Sequence, residues 1–210
     1  MHDTVAKTRR YLIKEGLVSG VAPMLSKTLQ DAAVSRAIAE PLSKNFEHVY
    51  EESHRWLKFA AHLTDTSDEA GDTFRSMSFA SRHLYGYLED LVTFLERAED
   101  HLEERDDITH RESPYEREVA PFSRVASTEP FRDALEKKFG FDAEVASDAA
   151  RIEGDLLKVI YLVRRLGKTP ATAADVLGMV QELNLDARRH LLPNLKTGSK
   201  VLEAMDKVSS

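Results

Sequence analysis

Apolar positions recur along this chain at alternating steps of three and four, most regularly between Phe74 and Leu102. There Phe74, Ser81, Leu88, Leu95 and Leu102 share one heptad position, and Met77, Leu84, Leu91 and Ala98 share a second. The spacing predicts a helix over 73–105 with Asp72 as its N-cap. Ala80, Tyr85, Tyr87, Val92 and Phe94 widen the apolar stripe, which predicts burial on more than one side and a need for helical partners.

The rest of the chain supplies them. Residues 3–15 read as a first helix, and Gly16, Gly20 and Pro23 break the apolar run after it; the Gly16/Gly20 spacing suits a tight helix crossing. Residues 24–39 read as a second helix, and Pro41 is expected at a junction because the residue before a proline is pushed from α geometry. A third helix is predicted over 43–63, with Phe46, Val49, Tyr50, Ser53, Trp56, Leu57, Ala60 and Leu63 facing inward. The stretch TDTSDEAGD reads as loop and cap. After Arg105 the helical rhythm stops, and 106–127 is a long polar connection of the kind that serves as a bundle crossover or as a functional loop. Thr128 is expected to cap a short helix ending at Gly140, and Asp142 to cap a helix over 142–166 that ends at Gly167. Its stripe Val145, Ala149, Ile152, Leu156, Val159, Val163, Leu166 makes it the expected mate of the 73–105 helix. Thr169-Pro170 opens another helix with Thr172 and Asp175 as a capping box. Asn184 should interrupt it, Pro193 should end the short helix after it, and a last helix is expected from Ser199 to Val208. No window alternates as a half-buried strand does. The fold class expected is all-α: one domain over 1–210, a bundle with long helices near 24–39, 43–63, 73–105 and 142–166, and a short-helix C-terminal appendage over 168–210.

Composition narrows the chemistry. The 210 residues include no cysteine, which removes disulfides, thiolate catalysis and Cys-ligated metals. No stretch approaches the ~18–20 apolar residues of a membrane span, and the N-terminus has no apolar run of signal-peptide length; a soluble, cytoplasmic protein is expected. The formal net charge is −7, unevenly spread. Glu40 to Glu118 holds 20 acidic against 9 basic residues, whereas Arg151 to Ser210 holds 7 against 10. The acidic middle repels nucleic acid; the C-terminal part tolerates an anionic partner.

Three constellations bear on function. Glu51 and His54 form an E-x-x-H, but di-iron bundles need two such motifs and two further glutamates, all inward. At about 100° per residue, His54 falls at the border of the inner face and Glu51 points away, and no second E-x-x-H occurs. His48 with Glu52, and His62, offer a hemerythrin-like spacing, but both histidines project opposite the core. No metal or other cofactor is therefore expected. Arg105-Asp106-Asp107-Ile108-Thr109-His110 resembles the R-x(4–6)-H motif of the HEPN family, helical bundles that include metal-independent ribonucleases. The resemblance implies that Arg105 steadies phosphate charge and His110 acts as general acid or base, although that family carries the pair on a helix and here it follows a helix end. The segment VQELNLDARRHLLPNLK loosely resembles helix–turn–helix sequence. Arg188 and Arg189 there, with Arg164 and Arg165 nearby in sequence, are the candidates for nucleic acid or another anionic partner. Expected above these is a non-enzymatic interaction module, an adaptor, scaffold or regulatory subunit with a protein partner or a second copy of itself. A bundle enzyme and a nucleic-acid binder are the alternatives.

Overall fold

The apolar seams set the architecture of a computed structural model that describes residues 36–65, 70–103, 129–168, 173–197 and 199–208. The described elements are all helical, and no strand occurs among the described residues. They are α1 (Arg36–Asp65), α2 (Ala70–Glu103), α3 (Glu129–Phe139), α4 (Ala143–Lys168), α5 (Ala173–Asp186), a π turn (Ala187–Leu191), α6 (Leu192–Thr197) and α7 (Ser199–Val208). The expected helices over 3–15 and most of 24–39 lie outside the described residues, as do the connection 106–127 and the Thr172 cap.

α1 and α2 form an antiparallel pair. Trp56 Nε1–H donates to Ser81 Oγ at 3.0 Å, and the rings of His48 and Tyr87 stack with centroids 4.7 Å apart. Those two links fix the register. The expected inner face of α1 is buried throughout, and so is the seam of α2 from Phe74 to Leu102. α3 closes one end of the pair: Phe131 meets Trp56 edge-on, and Lys138 Nζ donates to the Thr64 carbonyl at 2.6 Å. The corner after it depends on Gly140, whose φ of +67° is a left-handed conformation that favours glycine. There the Phe141 N–H reaches back to the Leu135 carbonyl, and Asp142 Oδ1 accepts from the Glu144 N–H at 2.8 Å, as an N-cap does. Phe139 and Phe141 both pack on Phe74, so α4 starts where α2 starts and runs the same way.

The C-terminal segment runs back between them. Along α2, Asn184 bonds to Glu99, Arg188 to Glu96 and Arg82 to Asp206. Along α4, Asn194 bonds to Asp155, and Lys200 pairs with Glu144. Both ladders descend, so α5, the π turn, α6 and α7 together act as one segmented member of a bundle with four members among the described residues. Leu177, Val180, Leu183, Ala187, Leu191, Val201 and Met205 join the same core as α1, α2 and α4.

Several sequence expectations need correction. α4 is not the neighbour of α2: it lies against α1 and α3, and α2 pairs with α1 and the C-terminal segment. Two diagonal members of a four-helix bundle both aim their seams at its axis, so matching seams do not identify neighbours. Pro41 lies inside α1. It forfeits one N–H bond, but Leu42 and Ser43 beside it are buried, and tertiary packing outweighs the local cost. Asp72 lies within the first turn of α2, so the helix begins at Ala70, two residues ahead of the expected cap. α4 continues through Gly167 to Lys168. Asn184 does not interrupt α5, because its side-chain amide is held by Glu99 Oε2 at 3.1 Å. Pro193 does not stop a helix; it sits in the first turn of α6. The π turn before it, in which the Leu192 N–H reaches the Ala187 carbonyl, widens the helix where the proline ring would otherwise press on the preceding turn.

Candidate functional site

A bundle helix needs one buried stripe and tolerates polar residues everywhere else. α2 departs from that rule on its outer face. Opposite the seam, Phe79, Gly86, Thr93 and Asp100 succeed one another at two-turn spacing, all exposed. Phe79 is 60% exposed, more than any other large apolar side chain among the described residues. It is not isolated: its ring lies 4.3 Å from that of His83, and His83 meets Tyr87 edge-on at 6.4 Å. Tyr87 is half-buried and carries His48 of α1 stacked on it. The result is an aromatic and imidazole strip that starts at the bare Phe79 and ends in the α1–α2 groove.

Gly86 sits in the middle of this face, in the interior of a 34-residue helix. A Cβ placed there meets nothing within 4 Å, so no close approach among the described residues calls for glycine. The cost to the helix remains, about 1 kcal/mol relative to alanine. Polar and charged groups flank it: Arg82 and His83 on one side in sequence, Glu89 and Asp90 on the other, all exposed. Arg82 reaches Asp206 at 3.3 Å, and Tyr85 donates to Glu89 Oε1 at 2.5 Å.

The residues singled out in the sequence fall elsewhere. Glu51 is exposed on α1 and His54 is buried at 7%, so the E-x-x-H does not turn a common face to the core. Among the described residues, no three His, Asp, Glu or Cys side chains group as metal ligands do. Arg105 and His110 lie outside the described residues. Arg164 and Arg165 belong to the last turns of α4, but their side chains lie outside the described ones. Arg188 is exposed in the π turn and is already engaged by Glu96 at 2.8 Å; Arg189 beside it is exposed. Arg188 and Arg189 thus share a turn, and Arg188 is paired with an acidic residue of α2.

Sequence reasoning passed over Glu153 and Phe79 and did not foresee the burial of Glu52. Glu52 is 6% exposed, with Arg55 held to it at 2.6 Å, and Glu153 of α4 is fully buried. Glu153 stands in stripe register with Ala149, Leu156 and Ile160, so the signal was a carboxylate at an apolar phase. Phe79 gave the mirror signal, a large apolar residue at a polar phase, with Gly86 one heptad after it. The positions that widen the α2 stripe carry no such message. Ala80 and Val92 are buried, and Tyr85, Tyr87 and Phe94 pack against the core.

No helix among the described residues is long and apolar enough to cross a membrane. No protein-family model matches the chain, and no solved structure matches it.

Proposed function

We propose that this chain is a non-enzymatic interaction module that works through protein–protein contact on the outer face of α2. The observation that carries the reading is Phe79, a large aromatic side chain held in solvent on a helix whose other large apolar residues are buried or half-buried. Aromatic residues are enriched at the centres of protein interfaces, because one rigid ring buries much area at small entropic cost. His83, Tyr87 and His48 extend the apolar-to-polar surface that such a contact uses, and Arg82, Glu89 and Asp90 give it a charged rim.

The test compares two baits. Wild-type protein and Phe79→Glu, both checked for native far-UV circular dichroism, are used to recover partners, which are quantified by mass spectrometry. The charged substitution should reduce recovery of the specific partner by about tenfold or more, the usual effect of losing a central anchor. Equal recovery by both baits would sink the reading.

A further inference from the structure

The same face carries a more specific message. Three features of α2 fall into register around Gly86. Phe79 stands seven residues before it and Thr93 seven after. Arg82 stands four before and Asp90 four after. His83 stands three before and Glu89 three after. A two-fold axis through Gly86 that laid α2 antiparallel on a second α2 would place each member of a pair against its counterpart. Phe79 would cover Thr93 of the other copy, and Arg82 with His83 would face Glu89 with Asp90. Opposite charges meet on both sides of the axis, and the residue on the axis is the one without a side chain.

From this we infer that the occupant of the face is a second copy of this chain, joined by an isologous antiparallel α2–α2 contact that crosses at Gly86. The inference rests on the module reading and names its partner. Two observations support it independently. Gly86 has open space where its Cβ would be, so its use in a helix interior is unexplained by the described residues of one copy; close backbone approach of a second helix explains it. The charge order near the axis is self-complementary, which a two-fold interface requires because the same patch serves both sides. Arg75 with Arg97, and Asp72 with Asp100, are exposed pairs that repeat in like sign. They fall eleven and fourteen residues from the axis, roughly 16 and 21 Å along the helix, where two crossing helices have already separated. A contact of one helix face is smaller than a standard interface, so affinity in the micromolar range is expected.

The absence of cysteine makes the register directly testable in the full chain. Gly86→Cys should form a disulfide-linked dimer under mild oxidation. Phe79→Cys and Thr93→Cys should each form little alone but cross-link when mixed, because only that mixture brings the Cα atoms within disulfide range. In sedimentation equilibrium, Gly86→Leu should associate about tenfold or more weakly than the wild type, with helical content unchanged. Wild-type protein that stays monomeric at several hundred micromolar (roughly a hundredfold above the expected affinity) and gives no Gly86→Cys cross-link overturns the proposal. So does cross-linking of Phe79→Cys to itself as readily as to Thr93→Cys, which denies the antiparallel register. Protection of Phe79→Cys from maleimide in a monomer overturns it too, by showing that the chain covers its own face. A monomer whose Phe79→Glu variant still loses another protein leaves the module reading standing while this one falls; a monomer with no Phe79-dependent partner removes both.

Discussion

Two glycines in this chain respond to the same substitution in opposite directions, and each response follows from its backbone. Gly140 sits at φ +67° in the corner between α3 and α4. An alanine there must hold a left-handed conformation, so Gly140→Ala is expected to destabilise by about 1–2 kcal/mol. Gly86 lies at helical geometry with open space around it, so Gly86→Ala, measured at high dilution, is expected to stabilise by about 1 kcal/mol. Urea unfolding followed by circular dichroism gives both values, and the same sign at both positions would contradict the account. Trp56 supplies a third test at this scale. Its ring is 1% exposed, and its N–H donates to Ser81 Oγ, which itself donates to the Met77 carbonyl at 2.9 Å. Trp56→Phe keeps most of the ring and removes the donor, so a loss of about 2 kcal/mol is expected from the same unfolding curve. A loss under about 0.5 kcal/mol would mean that the bond adds nothing to the burial. The inward faces of Trp56 and the α2 seam were legible in the sequence because burial follows phase. The side-chain partner of Trp56 was not, since register across two helices is set only when they pack.

Among the elements, α3 carries a pH signature. Lys137 donates to Asp133 Oδ2 at 2.8 Å and Arg132 to Oδ1 at 3.2 Å. The hydrogen bond from Lys137 first, and that from Arg132 second, hold the Asp133 carboxyl below its ordinary value, and Asp133 holds the Lys137 ammonium above its own. A depressed folded-state pKa means that the folded chain binds fewer protons than the unfolded chain through the acid range. The contribution of Asp133 is therefore present above the unfolded carboxylate value and is lost as pH falls through the folded one. That of Lys137 is present below its unfolded value and is lost as pH rises through the raised one. Asp133→Asn should accordingly lower the melting temperature slightly at neutral pH, as surface pairs do, and the gap to wild type should close in acid and again in strong base. A gap that widens in acid would reverse the sign. Elsewhere, local rules misplaced helix ends wherever a tertiary contact outweighed them. Pro41 is carried by buried neighbours and Asn184 by Glu99. Pro193 is accommodated by a π turn, a change of helical pitch that no periodicity in the sequence records. Gly140, Asp142 and the Ser199–Val208 helix were legible because their signals act within a few residues.

At the scale of the whole molecule, seam length identified the members of the bundle but not their neighbours. Every member turns an apolar stripe to one axis, so adjacency is decided by pairs such as His48 with Tyr87 and Asn184 with Glu99, which are invisible until the helices are placed. The outer surface is different, because nothing in the fold demands a particular residue there, and an exception to polarity is informative by itself. Phe79 is such an exception, and its consequence for the molecule is linkage between folding and concentration. If two copies join through it, the native state is stabilised by mass action, by about 1.4 kcal/mol at a protomer concentration tenfold above the dissociation constant. For a chain of this size that raises the melting temperature by roughly 3–5 °C. Differential scanning calorimetry of wild type over a hundredfold concentration range (micromolar and upward, as the expected affinity requires) should show that rise. Phe79→Glu should give a flat line meeting the wild type at the dilute end, because a side chain 60% exposed contributes little to the core it leaves behind. Parallel lines for the two proteins would place association, if any, away from α2. A lower melting temperature for Phe79→Glu at every dilution would instead make Phe79 part of the fold and end its claim to be a docking residue.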